Sequence, residues 1–163
     1  MRIPSDLAPE LVGLAWLIGR WAGSGVGGYP TVADFRFAQE VEFGYVPGKT
    51  FLSYVSRSWI LDDEGRRVRP AATESGYWRP QPGDEVELLL AHPTGYVEIW
   101  LGAVSGARVE LRTDLVARTP TAKEYTAGHR LYGLVEGDLL WAYDMAAVGQ
   151  PLQPHLSARL QRV

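Results

Sequence analysis

Hydrophobic and polar residues alternate with a period of two along most of the chain. Residues 35–45 place aromatic and aliphatic side chains on one face and mainly polar ones on the other. The same alternation recurs at 97–101, 108–115 and 139–145, and it is typical of strands with one buried face. The positions expected to face the core in the middle of the chain are Val97, Ile99 and Leu101, followed by Val109, Leu111, Thr113 and Leu115.

Turn signals separate these runs at intervals of ten to fifteen residues, as at Pro47-Gly48 and Pro82-Gly83-Asp84. Each joins two strand-like segments, whereas residues 8–18 carry apolar side chains at helical spacing. A long antiparallel meander has two free edges unless it closes on itself. We therefore predict an all-β fold, an up-and-down antiparallel β-barrel of about ten strands preceded by a short N-terminal helix, with residues 1–163 as a single domain.

Composition narrows the classes of function. The chain has 163 residues and no cysteine, which excludes disulfides, iron–sulfur clusters and thiolate nucleophiles. Its net charge is −3 without a long basic cluster, so we expect no nucleic-acid partner. No apolar run approaches the roughly 20 residues of a membrane span, and we expect a cytoplasmic protein with no membrane association.

A glycine-rich segment, Gly19-Arg20-Trp21-Ala22-Gly23-Ser24-Gly25, is the most distinctive stretch. A phosphate-binding loop needs a strand before its glycines and a helix after them, which is the reverse of the order predicted here. We favour a structural role in which the glycines allow close approach of a bulky group and Trp21 fills the end of the barrel.

The three histidines are His92, His129 and His155. Their spacing does not favour a shared metal site. His92 precedes Pro93 and is interpreted as part of a turn, and His129 as a half-buried, hydrogen-bonded residue. In the last strand His155 alternates with the leucines at 152, 156 and 160, but the period does not decide whether it faces a cavity or solvent.

The segment Pro120-Thr121-Ala122-Lys123-Glu124 places a lysine at the start of a strand. Such a lysine is usually a solvated edge residue. If the barrel holds an anionic cofactor, Lys123 can instead pair with a carboxylate at its mouth.

The glycine motif, the 120–124 segment and residues 145–156 together resemble the nitrobindin family, over nearly the whole chain. The resemblance implies a barrel related to fatty-acid-binding proteins that holds one haem b. It implies that His155 is the axial iron ligand and catalytic residue, and that Lys123 contacts the haem. It also implies isomerisation of peroxynitrite to nitrate, with nitric oxide binding at the open sixth position of the ferric iron. The chain departs from some relatives at Ala71-Ala72, where they have a distal histidine.

Two other functions remain open at this point. The barrel can be a carrier of a fatty-acid-like ligand with His155 as a polar lining residue, or a haem or nitric oxide sensor without turnover. We expect a monomer or a homodimer, with Trp59 and Trp78 as candidate exposed residues of an interface.

Overall fold

Residues 2–163, which the computed structural model describes, form one short 3₁₀ helix (Pro9–Leu17) and ten strands. Each strand pairs antiparallel with the next in sequence, and the first pairs with the last, so that the sheet is a closed barrel. The predicted fold is thus confirmed. The strands are β1 (Gly19–Tyr29), β2 (Val32–Tyr45), β3 (Leu52–Leu61), β4 (Arg67–Gln81), β5 (Glu85–His92), β6 (Tyr96–Val104), β7 (Arg108–Arg118), β8 (Tyr125–Val135), β9 (Asp138–Ala147) and β10 (Gln153–Arg162).

The N-terminal helix packs its leucines into the barrel core. Leu11, Leu14 and Leu17 are fully buried, and the buried indole of Trp21 donates a hydrogen bond to the Leu17 carbonyl at 2.8 Å. This contact joins the helix to β1. No helix among the described residues is long and apolar enough to cross a bilayer.

The glycine-rich segment is part of β1, so the structure excludes a phosphate-binding loop there. A Cβ atom on Gly25 would lie 2.2 Å from the Ser157 carbonyl oxygen and 2.6 Å from the Phe37 ring. Glycine is required because strand β10 and an aromatic side chain approach the backbone this closely. The close approach expected in the structural interpretation is present at Gly25.

Strands β6 and β7 differ from the predicted alternation. In β6 the inward residues are Glu98 and Trp100, whereas Val97 is 51% exposed. The prediction for 97–101 was wrong because both faces of this strand carry large apolar residues, and the barrel buries the tryptophan.

In β7 the alternation fails at its end. Ile99 pairs with Leu115 and Trp100 with Thr113, so one extra residue of β7 bulges out. The bulge turns Leu115 outward, where it is 53% exposed.

The expectation that Trp78 is exposed was also wrong: its ring is fully buried, 5.0 Å from the ring of Tyr132.

Candidate functional site

A cavity of about 600 Å³ opens between strands β2–β4 on one side and β8–β10 on the other. This volume is within the usual range for cofactor sites. Its outer end, which we call the mouth, carries the exposed side chains of Arg69 and Lys123. The apolar lining consists of Val32, Phe35, Phe37, Ile60, Pro70, Ala71, Ala72, Trp141 and Leu156.

His155 lines this cavity because of a β-bulge in β10. Pro154 pairs with Asp144 and Leu156 with Tyr143, which leaves His155 as the extra residue. A bulge of this kind redirects a side chain, so that His155 and its neighbour Leu156 both face the cavity. The strict alternation predicted from sequence is therefore wrong here, and the question of cavity or solvent is answered in favour of the cavity.

The orientation of the His155 ring is fixed by the glycine-rich strand. Its Nδ1 atom lies 3.0 Å from the backbone carbonyl oxygen of Gly28. Because a carbonyl can only accept, Nδ1 carries the proton and Nε2 keeps its lone pair. The rings of Tyr29 and Tyr143 pack edge-on against the imidazole, with centroids at 5.5 and 5.8 Å.

The electrostatic surroundings keep this imidazole neutral. Burial lowers the pKa of His155 and outweighs the opposing effect of the Gly28 hydrogen bond, and the positive charge of Arg130 adds a still smaller lowering. A neutral, oriented imidazole with a free Nε2 is the form that ligates a metal.

The other two histidines lie elsewhere. His92 was expected in a turn, but its ring lies inside the barrel, where Nε2 hydrogen-bonds the buried Glu98 carboxylate and Nδ1 lies 3.7 Å from Glu74. The expectation was wrong because His92 is the last residue of β5 and precedes the turn. His129 is half-buried on the outer face and contacts Glu110 at 3.0 Å, as predicted.

The inner end of the cavity is polar. We call it the polar floor, formed by Gln39, Ser56, Glu74 and Arg130. The Arg130 guanidinium makes two hydrogen bonds of 2.7 Å to the two carboxylate oxygens of Glu74, and the Tyr54 hydroxyl donates to Glu74 at 2.8 Å. Burial alone raises the pKa of Glu74, but the Arg130 charge and these hydrogen bonds outweigh it and hold the pKa at about 2.

Sequence reasoning missed the floor because its residues come from four strands, the consecutive β2, β3 and β4 and the distant β8. The one available signal was Arg130, which alternates in phase with Gly128 and Tyr132 on β8 and is only 3% exposed. Buried arginines are almost always paired with a carboxylate, although the sequence does not reveal that the partner is Glu74.

The lining fits a haem. Its apolar walls suit a porphyrin, the free Nε2 of His155 could ligate the iron, and the cations of Arg69 and Lys123 at the mouth could pair with the propionates. Ala71 and Ala72 also line the cavity, so this stretch of β4 offers methyl groups there rather than a polar side chain.

Comparison with known proteins agrees with this geometry. Residues 10–162 match the family described as "THAP4-like, heme-binding beta-barrel domain". The chain is 55% identical to a peroxynitrite isomerase of Nocardioides sp., covering 98% of this chain and 97% of the relative. It is 52% identical to a ferric nitrobindin-like protein of Kineococcus radiotolerans, with coverages of 98% and 96%.

Among solved structures, that of Rv2717c from M. tuberculosis superposes with a TM-score of 0.87 at 43% identity, covering 97% of this chain and 99% of the other. The glycine motif, the cavity histidine and these matches over nearly the full length lead to one assignment. The chain belongs to the nitrobindin family of THAP4-like haem-binding β-barrels.

Proposed function

We propose that this protein binds one haem b per chain through His155 and isomerises peroxynitrite to nitrate. The observation that carries the proposal is the bulged His155, whose Nδ1 donates to Gly28 while its Nε2 is left free in the cavity. The names of relatives that are more than 50% identical support the reaction. When bound, ferric haem supplies a Lewis-acidic iron with one open coordination position, which suits peroxynitrite or nitric oxide.

The residues of the chain contribute position and environment. The Gly28 carbonyl holds the His155 ring in one tautomer and makes Nε2 a better donor to a metal. The rings of Tyr29 and Tyr143 restrict its rotation. Phe35, Phe37 and the other apolar walls would shield a bound haem from water, and a low local dielectric strengthens electrostatic interactions.

Lys123 and Arg69 are proposed to pair with the carboxylates of the cofactor. Both lie at the mouth of the cavity and both are exposed. Exposed ion pairs contribute at most about 1 kcal/mol, so these residues orient the haem more than they hold it.

The test compares His155→Ala with His129→Ala, which removes the histidine of the outer face. Haem titrated into wild-type protein should give a Soret band. In His155→Ala the affinity should fall by more than about 100-fold, because loss of an axial ligand exceeds the effect of losing a partner of that ligand. His129→Ala should behave as wild type, and circular dichroism checks that both variants fold.

Stopped-flow absorbance then measures the decay of peroxynitrite. Haem-loaded wild-type protein should accelerate the decay and raise the yield of nitrate, whereas His155→Ala should not. Normal haem binding without acceleration would favour the sensor function. Absence of haem uptake, with lipid recovered from the native protein and retained by His155→Ala, would favour the carrier.

A further inference from the structure

The polar floor contains a hydroxyl group whose proton finds no acceptor among residues 2–163. Ser56 is buried on β3 and lines the cavity. With methyl groups at Ala71 and Ala72, a polar contact to a ligand has to come from elsewhere in the lining, and the hydrogen bonds of the floor identify the group that can make it.

The orientation of Ser56 follows from two neighbours. The Trp141 indole can only donate a hydrogen bond, and it donates to Gln39 Oε1 at 2.8 Å. The amide of Gln39 is thereby fixed, with its nitrogen toward Ser56. Gln39 Nε2 donates to Ser56 Oγ at 2.9 Å, so that Ser56 is the acceptor in this contact.

The proton of Ser56 is left for a group in the cavity. Among residues 2–163 no acceptor for it is found. Its cross-strand neighbour Glu74 already accepts from Tyr54 and twice from Arg130. A ligand in the cavity can accept this proton and so satisfy the second hydrogen-bonding role of the buried hydroxyl.

Ser58 provides the contrast. It lies two residues further along the same strand and lines the same cavity. Its hydroxyl accepts from the backbone N–H of Ala72 at 3.0 Å and donates to the Ala72 carbonyl at 3.3 Å. Both of its hydrogen-bonding roles are filled by the backbone, so it has no proton to offer a ligand.

We propose that Ser56 is the hydrogen-bond donor to a small anion bound in the cavity, and that Gln39 and Trp141 are the residues that position it. The ligand class is small anions with an oxygen, nitrogen or halide acceptor, which includes peroxynitrite, azide and fluoride. The inference rests on the proposed function in one respect, that the anion is held in this cavity by haem iron.

The experiment measures fluoride and imidazole affinities of the ferric, haem-reconstituted protein by absorbance titration. Fluoride accepts a hydrogen bond, whereas imidazole is a neutral ligand that does not depend on a donor of this kind. In Ser56→Ala the fluoride affinity should fall about tenfold, the usual effect of losing a hydrogen bond to a charged group. Imidazole affinity should change by less than about twofold.

Four further variants separate a donor from a merely structural residue. Ser56→Thr keeps the hydroxyl and should keep the ratio of fluoride to imidazole affinity. Ser56→Cys is of similar size but a weak donor, and it should lower the ratio even if Ser56→Ala does not fold. Ser58→Ala should leave the ratio unchanged, and Gln39→Leu should lower it by about threefold because the hydroxyl is then free to rotate.

The inference would be overturned if the ratio of fluoride to imidazole affinity is the same in wild type, Ser56→Ala and Ser56→Cys. It would also be overturned if Ser58→Ala lowers this ratio as much as Ser56→Ala does. If the ratio behaves as expected but peroxynitrite decay is not accelerated, only the proposed function fails. If decay is accelerated while the ratio is constant, only the role of Ser56 fails. Wild-type protein that takes up no haem would overturn both.

Discussion

The ion pair at the polar floor gives the sharpest test of the energetics of the barrel. We consider Glu74→Gln, which removes the negative charge and nearly preserves the shape of the side chain. Arg130 would then remain buried, 3% exposed, without its counter-charge. Breaking a buried pair from one side typically costs about 3–5 kcal/mol.

The pH dependence of folding gives a second value for the stabilisation by the Glu74 charge. The pKa of Glu74 is about 2 in the folded protein, against an ordinary value of 4.5. A lowered carboxyl pKa stabilises the fold at pH values above 4.5 and ceases to do so as the pH falls toward 2. The difference corresponds to about 3 kcal/mol, of which about 2 kcal/mol should be lost at pH 3.

Urea unfolding at a series of pH values measures this effect. At pH 7 we expect Glu74→Gln to be less stable than wild type by about 3 kcal/mol. The gap should shrink to about 1 kcal/mol at pH 3, because Glu74 is then protonated in the unfolded wild-type chain while it stays mostly ionised in the folded protein. Glu87→Gln, which breaks the exposed pair with Arg79, should cost less than about 1 kcal/mol at either pH. A gap that is absent at pH 7, or equally large at pH 3, would refute the reasoning.

Two further predictions concern the first strand and the mouth of the cavity. Gly25→Ala should destabilise the barrel by more than about 2 kcal/mol in thermal unfolding, because its Cβ would meet the Ser157 carbonyl oxygen at 2.2 Å. In the control Gly133→Ala the nearest contact of the new Cβ is 3.8 Å away, so its stability should lie within about 0.5 kcal/mol of wild type. Lys123→Ala should weaken haem binding by no more than about fivefold, and less at high salt. The control is Lys49→Ala, on a loop away from the cavity. A loss of haem affinity larger than about fivefold in Lys123→Ala would contradict the conclusion that its ion pair with the haem is exposed.

The barrel could be predicted from the sequence because the patterns that indicate it are local. Alternation in 35–45 and 139–145 and the regular turns predict strands, and closure follows from the need to pair two edges. The role of the glycine motif was also predictable, since a strand with glycines at every second position, such as Gly23 and Gly25, admits a close neighbour.

The site was less accessible because it depends on irregularities and on distant pairings. A bulge adds one residue without a residue type that marks it, so neither the inward turn of His155 nor the outward turn of Leu115 can be read from the period. The partners Glu74 and Arg130 are 56 residues apart in the chain, and only the closed barrel brings them together.

Because His155 is the extra residue of a bulge, the side chain offered to the cavity is independent of the pairing of the strands. From Leu156 onward β10 keeps its pairing with β9 and β1, and that pairing does not depend on which side chain occupies the extra position. A substitution at position 155 would therefore change the side chain offered to the cavity, and with it the proposed iron ligand, while the surrounding strands keep the same register.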